Sequence, residues 1–236
     1  MKLLGIESSS LVASVAVVTE DVVTAEYTVN FKKTHSQTLL PMIDEIVSML
    51  ELDLGEIDAI AVAGGPGSFT GLRIGSATAK GLGLALGKPL IHVPTLEAMA
   101  YNLWGSRDLI CPIMDARRSQ VYTGLYHVHR DVEVVRDQCP MDIHELMDIL
   151  DDRGEPVIFL GDGVAVYRKT IEEEIHVPCG FAPAHSSRQR AASVAALGIE
   201  YYQKGLTVTA AGFAPDYLRK SQAEREREEQ YGQVDG

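Results

Sequence analysis

The sequence predicts an α/β protein built from two related lobes, and three observations support this fold class. Three short strands, a helix, a strand and a second helix follow one another over residues 2–86. The opening of this block is then repeated, because the apolar segment at 109–114 ends in Asp115 just as the segment at 2–6 ends in Glu7. A glycine-rich turn at 64–75 joins a buried-strand pattern to a helix, as expected where strands and helices alternate.

The first block can be assigned element by element. Its strands are predicted at residues 2–6, 13–18, 22–29, 57–63 and 90–93. Its helices are predicted at about 36–50, 70–86 and 95–104. Pro41 either sits in the first turn of the first helix or kinks it. We expect Ser68 or Thr70 to cap the second helix and Thr95 to cap the third.

The second block repeats this order with fewer assigned elements. Strands are predicted at 109–114, 121–128 and 157–160, and helices near 142–150, 164–174 and 188–204. The two blocks together predict duplicated βββαβα units. We therefore divide the chain into an N-terminal lobe at 1–105, a smaller C-terminal lobe at 106–220 and a charged tail at 221–236, which we expect to be solvated or disordered.

Composition and charge limit the function classes. Lys and Arg number 21 against 33 Asp and Glu, which gives a net charge of −12. Because a protein that binds tRNA by itself normally carries a basic patch, any tRNA contact is predicted to be indirect. No apolar run reaches the length of a membrane-spanning helix, and no signal peptide is recognised. The three widely spaced cysteines are typical of a reduced, cytoplasmic protein.

Small residues recur every four positions along the predicted helix at 70–86. They are Gly71, Gly75, Ala79, Gly83 and Gly87, and they share one stripe of the helix surface. Glycine inside a helix costs roughly 0.5–1 kcal/mol relative to alanine, so close packing is expected to offset that cost. Two interpretations stay open, namely packing onto the chain's own sheet or a neighbouring helix, and contact with another subunit.

Several polar turns could hold a phosphate. The glycine-rich turn precedes a helix N-terminus, which favours anions, but it matches neither the P-loop nor the dinucleotide-binding pattern. Glu7 and Asp115 could hold a metal-bound water or orient a nucleotide phosphate, and the turn at 161–163 could support a nucleotide. These features motivate the alternative hypothesis of an ATP-using phosphotransferase. The competing interpretation is that both acids only accept hydrogen bonds from the backbone of their turns.

Patterns of metal ligands and nucleophiles are not recognised. A histidine pair on one face of the first helix would need a second histidine four positions after His35, where the chain has Leu39. His127 and His129 lack neighbours that complete a ligand set, so we interpret them as surface or half-buried strand residues. No motif of a serine hydrolase or a zinc peptidase is present. We therefore expect no metal, no cofactor and no peptidase activity.

Four segments resemble the TsaB (YeaZ) family, whose members are partner proteins in synthesis of the threonylcarbamoyl modification on the tRNA adenosine beside the anticodon. The segments are the glycine-rich turn at 64–75, residues 35–44, the turn at 114–117 and residues 215–219. The resemblance extends to about residue 220. It implies the two-lobed actin, Hsp70 and sugar-kinase-like (ribonuclease H-like) fold. Glu7 stands where the family often has aspartate, and it keeps the charge.

The resemblance also implies a function, partners and an interface. The chain would be a non-catalytic scaffold that stabilises and positions a TsaD-like catalytic subunit, with a TsaE-like ATPase subunit joining them. In isolation it would be a homodimer, and it would contact tRNA only indirectly and no membrane. In the family the first two long helices form the interface. The interface residues implied here are Leu39, Ile43, Gly71, Arg73, Gly75, Ala79 and Gly83.

Overall fold

The computed structural model describes residues 1–31 and 35–219, which form two α/β lobes. The elements of the first block are β1 (Lys2–Glu7), β2 (Val12–Thr19), β3 (Val22–Asn30), α1 (His35–Met49), β4 (Ala59–Gly65), α2 (Phe69–Leu86), β5 (Leu90–Pro94) and α3 (Thr95–Tyr101). Those of the second are β6 (Leu109–Asp115), β7 (Gln120–Val128), β8 (Val132–Asp142), α4 (Ile143–Arg153), β9 (Val157–Leu160), α5 (Gly163–Glu174), β10 (Cys179–Phe181) and α6 (Ala191–Gln203). Each block therefore has the order βββαβαβα, one strand and one helix longer than the predicted unit.

The two sheets have the same topology. Within the described residues the strand order is β3-β2-β1-β4-β5 in one sheet and β8-β7-β6-β9-β10 in the other. In both sheets the first three strands pair antiparallel with one another, and the last two continue the sheet in parallel. The predicted duplication is thus confirmed in strand pairing as well as in element order.

The central strands are buried on both faces, which explains their sequence. Every residue of β4 is buried, and so is every residue of β1 except Lys2. An apolar run without polar alternation is what such a position requires. The helices α1 and α2 cover one face of the first sheet, and α6 covers the other.

The last helix of each block packs against the sheet of the other lobe. Leu96 and Met99 of α3 lie in the core of the second sheet while its Ala98 lies in the core of the first, whereas α6 packs on the first sheet. The approach of α6 is close, because a β-carbon on Gly198 would lie only 2.7 Å from Cβ of Ala61. This exchange of helices fixes the two lobes to each other.

The chain returns to the first lobe after α6. Val208 pairs with Leu90 at the edge of β5, and Ala210 and Phe213 enter the core between α1, α2 and the first sheet. The predicted ranges 1–105 and 106–220 therefore differ from the observed packing, because each contains a helix that packs on the other lobe. The predicted tail at 221–236 lies outside the described residues.

Two strands of the second block, β8 and β10, are absent from the prediction. β8 is an edge strand with charged residues on its exposed face, including Glu133 and Asp137, so it lacks an apolar run. β10 has three residues, which is too short for a pattern to be recognised.

Two details at helix termini also differ from expectation. Thr95 is the first residue of α3 and not its cap, and its hydroxyl accepts a hydrogen bond from the N–H of Gly65 at 3.2 Å. The helix ends at Tyr101, three residues before the predicted end. Pro41 lies inside α1, beyond its first turn.

Candidate functional site

A cleft of about 910 Å³ lies between the two lobes, at the carboxyl ends of β1, β4, β6 and β9. Its walls are the β1–β2 turn, the N-terminus of α2, the β6–β7 turn, the β9–α5 turn and the segment after α6. The charged lining residues are Arg73, Asp115, Arg117, Asp162, Asp216 and Arg219. Strand carboxyl ends are where α/β sheets bind ligands, so the cleft is one candidate site.

Glu7 and Asp115 occupy equivalent turns, and both accept hydrogen bonds from the backbone. The N–H of Ser9 donates to Oε1 of Glu7 at 2.6 Å, and the N–H of Arg117 donates to Oδ1 of Asp115 at 2.9 Å. The hydroxyl of Tyr167 also donates to Asp115, at 3.1 Å. Burial raises the pKa of Glu7 to about 7. Both residues thus accept backbone hydrogen bonds within their turns, and Asp115 accepts a further one from a side chain.

The glycine-rich turn brings the start of α2 against the β1–β2 turn. Ser68 is the N-cap, since its hydroxyl accepts a hydrogen bond from the N–H of Gly71 at 3.2 Å, so the capping role predicted for Ser68 or Thr70 belongs to Ser68. The N–H of Ser68 donates to the carbonyl oxygen of Ser9 at 2.6 Å. A β-carbon on Gly67 would overlap that oxygen and lie 2.8 Å from Cβ of Ser9. Glycine at this position therefore permits the close approach.

The small-residue stripe of α2 faces the protein's own interior. The buried members are Gly71, Gly75, Ala79 and Gly83. β-Carbons on the first two would overlap oxygen atoms of Ser8, and one on Gly83 would lie 3.0 Å from Cδ2 of Leu90. Of the two interpretations left open by the sequence, packing onto the chain's own sheet is confirmed for this stripe.

The predicted interface therefore needs correction. Leu39 and Ile43 of α1 are also buried, in the core between the helices and the first sheet. Six of the seven predicted residues lie in the chain's own core, and only Arg73 is exposed. The buried six can support the packing of the two helices, but they are buried and do not form the exposed surface.

A second row of small residues follows the exposed side of α2. Its members are Ala77, Gly81 and Ala85. Each comes two positions after a buried member of the stripe, and two positions correspond to about 200° around a helix. The two rows therefore lie on opposite sides. A β-carbon on Gly81 would have no atom of the described residues within 4 Å.

Large apolar side chains are also exposed on α1 and α2. Leu84 of α2 is 66% exposed, and Leu40 and Met49 of α1 are 55% and 74% exposed. The helices α1 and α2 are neighbours in one layer on the first sheet. We call the exposed sides of α1 and α2, which carry this row and these three side chains, the outer face, and it is the second candidate site.

Arg73 and Lys80 have different roles on α2. Cζ of Arg73 lies 4.1 Å from the ring centroid of Phe69, and the residue lines the cleft. Nζ of Lys80 donates to the carbonyl oxygens of Ala211 and Phe213, at 3.2 and 3.0 Å. Lys80 is therefore not simply an exposed charge, because it holds the segment after α6 against α2.

The histidines named in the sequence occupy separate places. His35 begins α1, and its Nε2 lies 2.7 Å from the carbonyl oxygen of Ser10, so it forms a hydrogen bond at the start of the helix. His127 is half-buried and lies 3.2 Å from the carboxylate of Glu155, whereas His129 is exposed just after β7. In the described part of the chain, no cluster of three or more His, Cys, Asp or Glu could hold a metal ion.

Residues 216–219 line the cleft, although no sequence pattern indicates this position. The N–H of Asp216 donates to the carbonyl oxygen of Gly64 at 2.7 Å, and Nη1 of Arg219 donates to the carbonyl oxygen of Ala116 at 3.0 Å. The segment thus contacts both lobes. It has no regular secondary structure, so hydrophobic periodicity carries no signal for it.

Comparison with known proteins identifies the family. The family model of TsaD, a tRNA N6-adenosine threonylcarbamoyltransferase, matches residues 23–227. The tRNA threonylcarbamoyladenosine biosynthesis protein TsaB of Bacillus subtilis is 35% identical over 226 residues, which are 95% of this chain and 96% of that protein. The chain belongs to the TsaB (YeaZ) family. The resemblance seen in the four sequence segments is confirmed, and this TsaB family member belongs to tRNA threonylcarbamoyladenosine biosynthesis.

Solved structures agree with this assignment. YeaZ from Pseudomonas aeruginosa is 25% identical, with a TM-score of 0.77 over 92% of this chain and 99% of that one. The activator of 2-hydroxyisocaproyl-CoA dehydratase from Clostridium difficile is 11% identical, with a TM-score of 0.51 over 87% of this chain and 97% of that one. At this identity the likeness shows the fold alone. The predicted actin, Hsp70 and sugar-kinase-like fold class of this TsaB family member is confirmed. Among its described residues, no helix has both the length and the apolar character needed to cross a membrane.

Proposed function

We propose that the chain is a non-catalytic accessory subunit of a threonylcarbamoyltransferase complex. In this role it stabilises and positions a TsaD-like catalytic subunit, which transfers threonylcarbamoyl from its adenylate to the tRNA adenosine beside the anticodon. The observation that carries the proposal is the outer face, which presents exposed small and apolar residues on the neighbouring helices α1 and α2.

The outer face has the properties of a helix-packing surface. Its row of small residues would let the backbone of a partner helix approach α2 closely, because interaxial distances depend on the side chains at the contact. The exposed side chains of Leu40, Met49 and Leu84 would supply apolar area for burial. The isolated chain would use the same face to form a homodimer. The catalytic subunit would then compete with a second copy of the chain.

The first helix supports a role without metal catalysis. Leu39, one turn after His35, is buried in the core, so α1 presents a single histidine at its start. Nε2 of that histidine already contacts the carbonyl oxygen of Ser10. We therefore assign the transfer chemistry to the partner subunit and expect no peptidase activity from this chain.

The charge of the chain supports an indirect relation to tRNA. A net charge of −12 disfavours direct binding of a polyanion. We propose that a TsaE-like ATPase subunit joins the two proteins and that the complex acts in the cytoplasm, where tRNA is modified, without contacting a membrane.

A matched pair of variants tests the outer face. Ala77 on α2 and Ala165 on α5 are both exposed helical alanines, and only the first lies on this face. Each chain is co-expressed with a TsaD-like subunit, and co-purification and the threonylcarbamoyladenosine content of tRNA are measured. We expect Ala77→Trp to weaken partner binding by about tenfold or more, and Ala165→Trp to leave it unchanged. Equal binding by both variants would show that the interface lies elsewhere. Modification of tRNA by the chain alone would refute the accessory role.

A further inference from the structure

The last strand of the first sheet, β5, is covered both on its outer edge and on one face. On the edge, the N–H of Leu90 donates to the carbonyl oxygen of Val208 and the N–H of Val208 donates to that of Leu90, both at 2.9 Å. On the face toward α6, Ile91 and Val93 are fully buried. An extended segment and a helix therefore complete this end of the first sheet.

The corresponding strand of the second sheet, β10, has a free outer edge. Within the described residues no strand or bridge pairs with that edge. The carbonyl oxygen of Pro178 and the N–H of Ala182 form hydrogen bonds with β9. Because backbone groups of successive strand residues point in alternate directions, those of Cys179 and Phe181 point away from the sheet. Their N–H groups and carbonyl oxygens are thus available for pairing with an added strand.

The free stretch of this edge is short. On one side, the N–H of Val177 already donates to Oδ1 of Asp151 at 3.1 Å. On the other side, Pro183 has no N–H to donate. Pairing with an added strand is therefore confined to Cys179 and Phe181.

One face of β10 is open beside the free edge. The helix on this face of the second sheet, α3, has seven residues, whereas α6 has 13 on the first sheet. The shorter helix leaves a groove of about 330 Å³ over β9 and β10. A β-carbon on Gly180 would have no atom of the described residues within 4 Å. The groove is lined by Leu103, Asp108, Ile158, Gly180, Ala182 and Pro183, among others.

The charge of the groove distinguishes its possible occupants. Asp108 is the only charged residue among the described residues that line it, and its carboxylate forms no ion pair with any of them. A second copy of the chain would bring a net charge of −12, and residues 220–236 contain five acidic and three basic residues. Charge complementarity therefore disfavours both and favours a basic segment of another protein.

We propose that β10 and its groove bind an extended, apolar segment of another protein, and that this segment carries a lysine or an arginine. The segment adds a strand to the free edge, places one apolar side chain in the groove and places its basic group near Asp108. The extended segment at Val208 is the counterpart of this added strand in the first lobe. The site lies on the second lobe, apart from the outer face, and is not required by the accessory role.

Selection of peptides on the full chain tests the proposal. The probe is a phage-displayed library of random heptapeptides, with the variant Gly180→Val used for counter-selection. Valine suits a strand and fills part of the groove, where a β-carbon meets no atom of the described residues. We expect selected peptides to alternate apolar residues, to contain a lysine or arginine, and to bind the parent about tenfold more tightly than the variant. Absence of enrichment over the variant, or enriched peptides without a basic residue, would overturn the proposal.

Further variants separate the edge from the charge. Cys179→Pro removes an outward N–H and keeps the hydrogen bonds to β9, so we expect it to weaken binding of a selected peptide about fivefold. We expect Asp108→Asn to weaken binding about threefold, because the charge opposite the basic group is lost. The matched control is Asp152→Asn, an exposed position of α4 outside the groove, and it should have no effect. Equal losses in the two aspartate variants would indicate unspecific charge attraction and overturn the site.

Two measurements test the other occupants. Deletion of residues 220–236 should leave the affinity for a selected peptide unchanged, and a tenfold gain would show that the chain's own end competes for the edge. Gly180→Val should leave the sedimentation of the free chain unchanged, and loss of a dimer in this variant would show that a second copy binds there. Either result would overturn the proposal. Ala77→Trp should not alter peptide binding, so this proposal and the accessory role can fail independently.

Discussion

Ser8 and Gly71 are in direct contact, which joins the turn after β1 to the first turn of α2. The hydroxyl of Ser8 donates a hydrogen bond to the carbonyl oxygen of Gly71 at 2.9 Å. The carbonyl oxygen of Ser8 occupies the place that a β-carbon on Gly71 would take. The small-residue stripe is therefore needed for packing of α2 on its own sheet.

A pair of glycine variants tests this packing. Gly71→Ala forces a β-carbon against backbone, and we expect it to lower the free energy of unfolding by about 1–3 kcal/mol. Gly81→Ala adds a β-carbon in open space on the same helix, and we expect a gain of about 0.5–1 kcal/mol. Urea unfolding of the two variants measures both values. A Gly71→Ala protein as stable as the parent would contradict the inward orientation of the stripe.

The face of α2 illustrates what the sequence can and cannot predict. The spacing of Gly71, Gly75, Ala79 and Gly83 correctly predicts a close approach along one stripe. Ala77, Gly81 and Ala85 form an equally regular row on the opposite side. Periodicity alone does not distinguish the two rows. Which row packs on the sheet depends on the orientation of α2, and the turn at residue 67 sets that orientation.

Burial of Glu7 makes stability depend on pH. Its pKa rises from 4.5 to about 7 in the folded chain, so the folded state binds the proton more tightly than the unfolded state. The resulting stabilisation is complete below pH 4.5 and is lost as the pH rises to about 7. For a shift of this size it amounts to roughly 3 kcal/mol.

The variant Glu7→Gln isolates this dependence from that of the other carboxylates. Its side-chain oxygen can still accept the hydrogen bond from the N–H of Ser9, but it does not titrate. Relative to the parent, we expect the variant to gain stability steadily between pH 4.5 and 7 in denaturant unfolding. A stability difference that stays constant across this range would show that Glu7 has an ordinary pKa.

The start of α6 is capped by strands of the first lobe. Its N-cap residue, Arg190, forms no side-chain hydrogen bond that caps the helix. Instead, the N–H of Ala191 donates to Oγ of Ser14 at 3.0 Å, and the N–H of Ala192 donates to Oε1 of Glu26 at 3.1 Å. The carboxylate of Glu26 also pairs with the guanidinium of Arg190. The helix and the strands that cap it are far apart in the sequence. Local sequence signals alone therefore do not predict that α6 packs on the sheet of the first lobe.

Variants of Glu26 separate its two contributions. We expect Glu26→Ala to cost about 2 kcal/mol, because it removes the cap and the ion pair together. Glu26→Gln should cost less, since its amide oxygen can still accept from Ala192. The control is Glu173→Ala, which removes an exposed pair with Lys169 and is expected to cost below about 0.5 kcal/mol. A larger loss of stability in the control than in Glu26→Ala, measured by thermal unfolding, would contradict this assignment.

The outer face is most directly tested by hydrogen–deuterium exchange of the chain alone and in complex with a TsaD-like subunit. The proposed interface predicts slower exchange in the complex for peptides covering α1 and α2, with little change in α4 and α5. Slower exchange confined to other elements, with α1 and α2 unchanged, would contradict it.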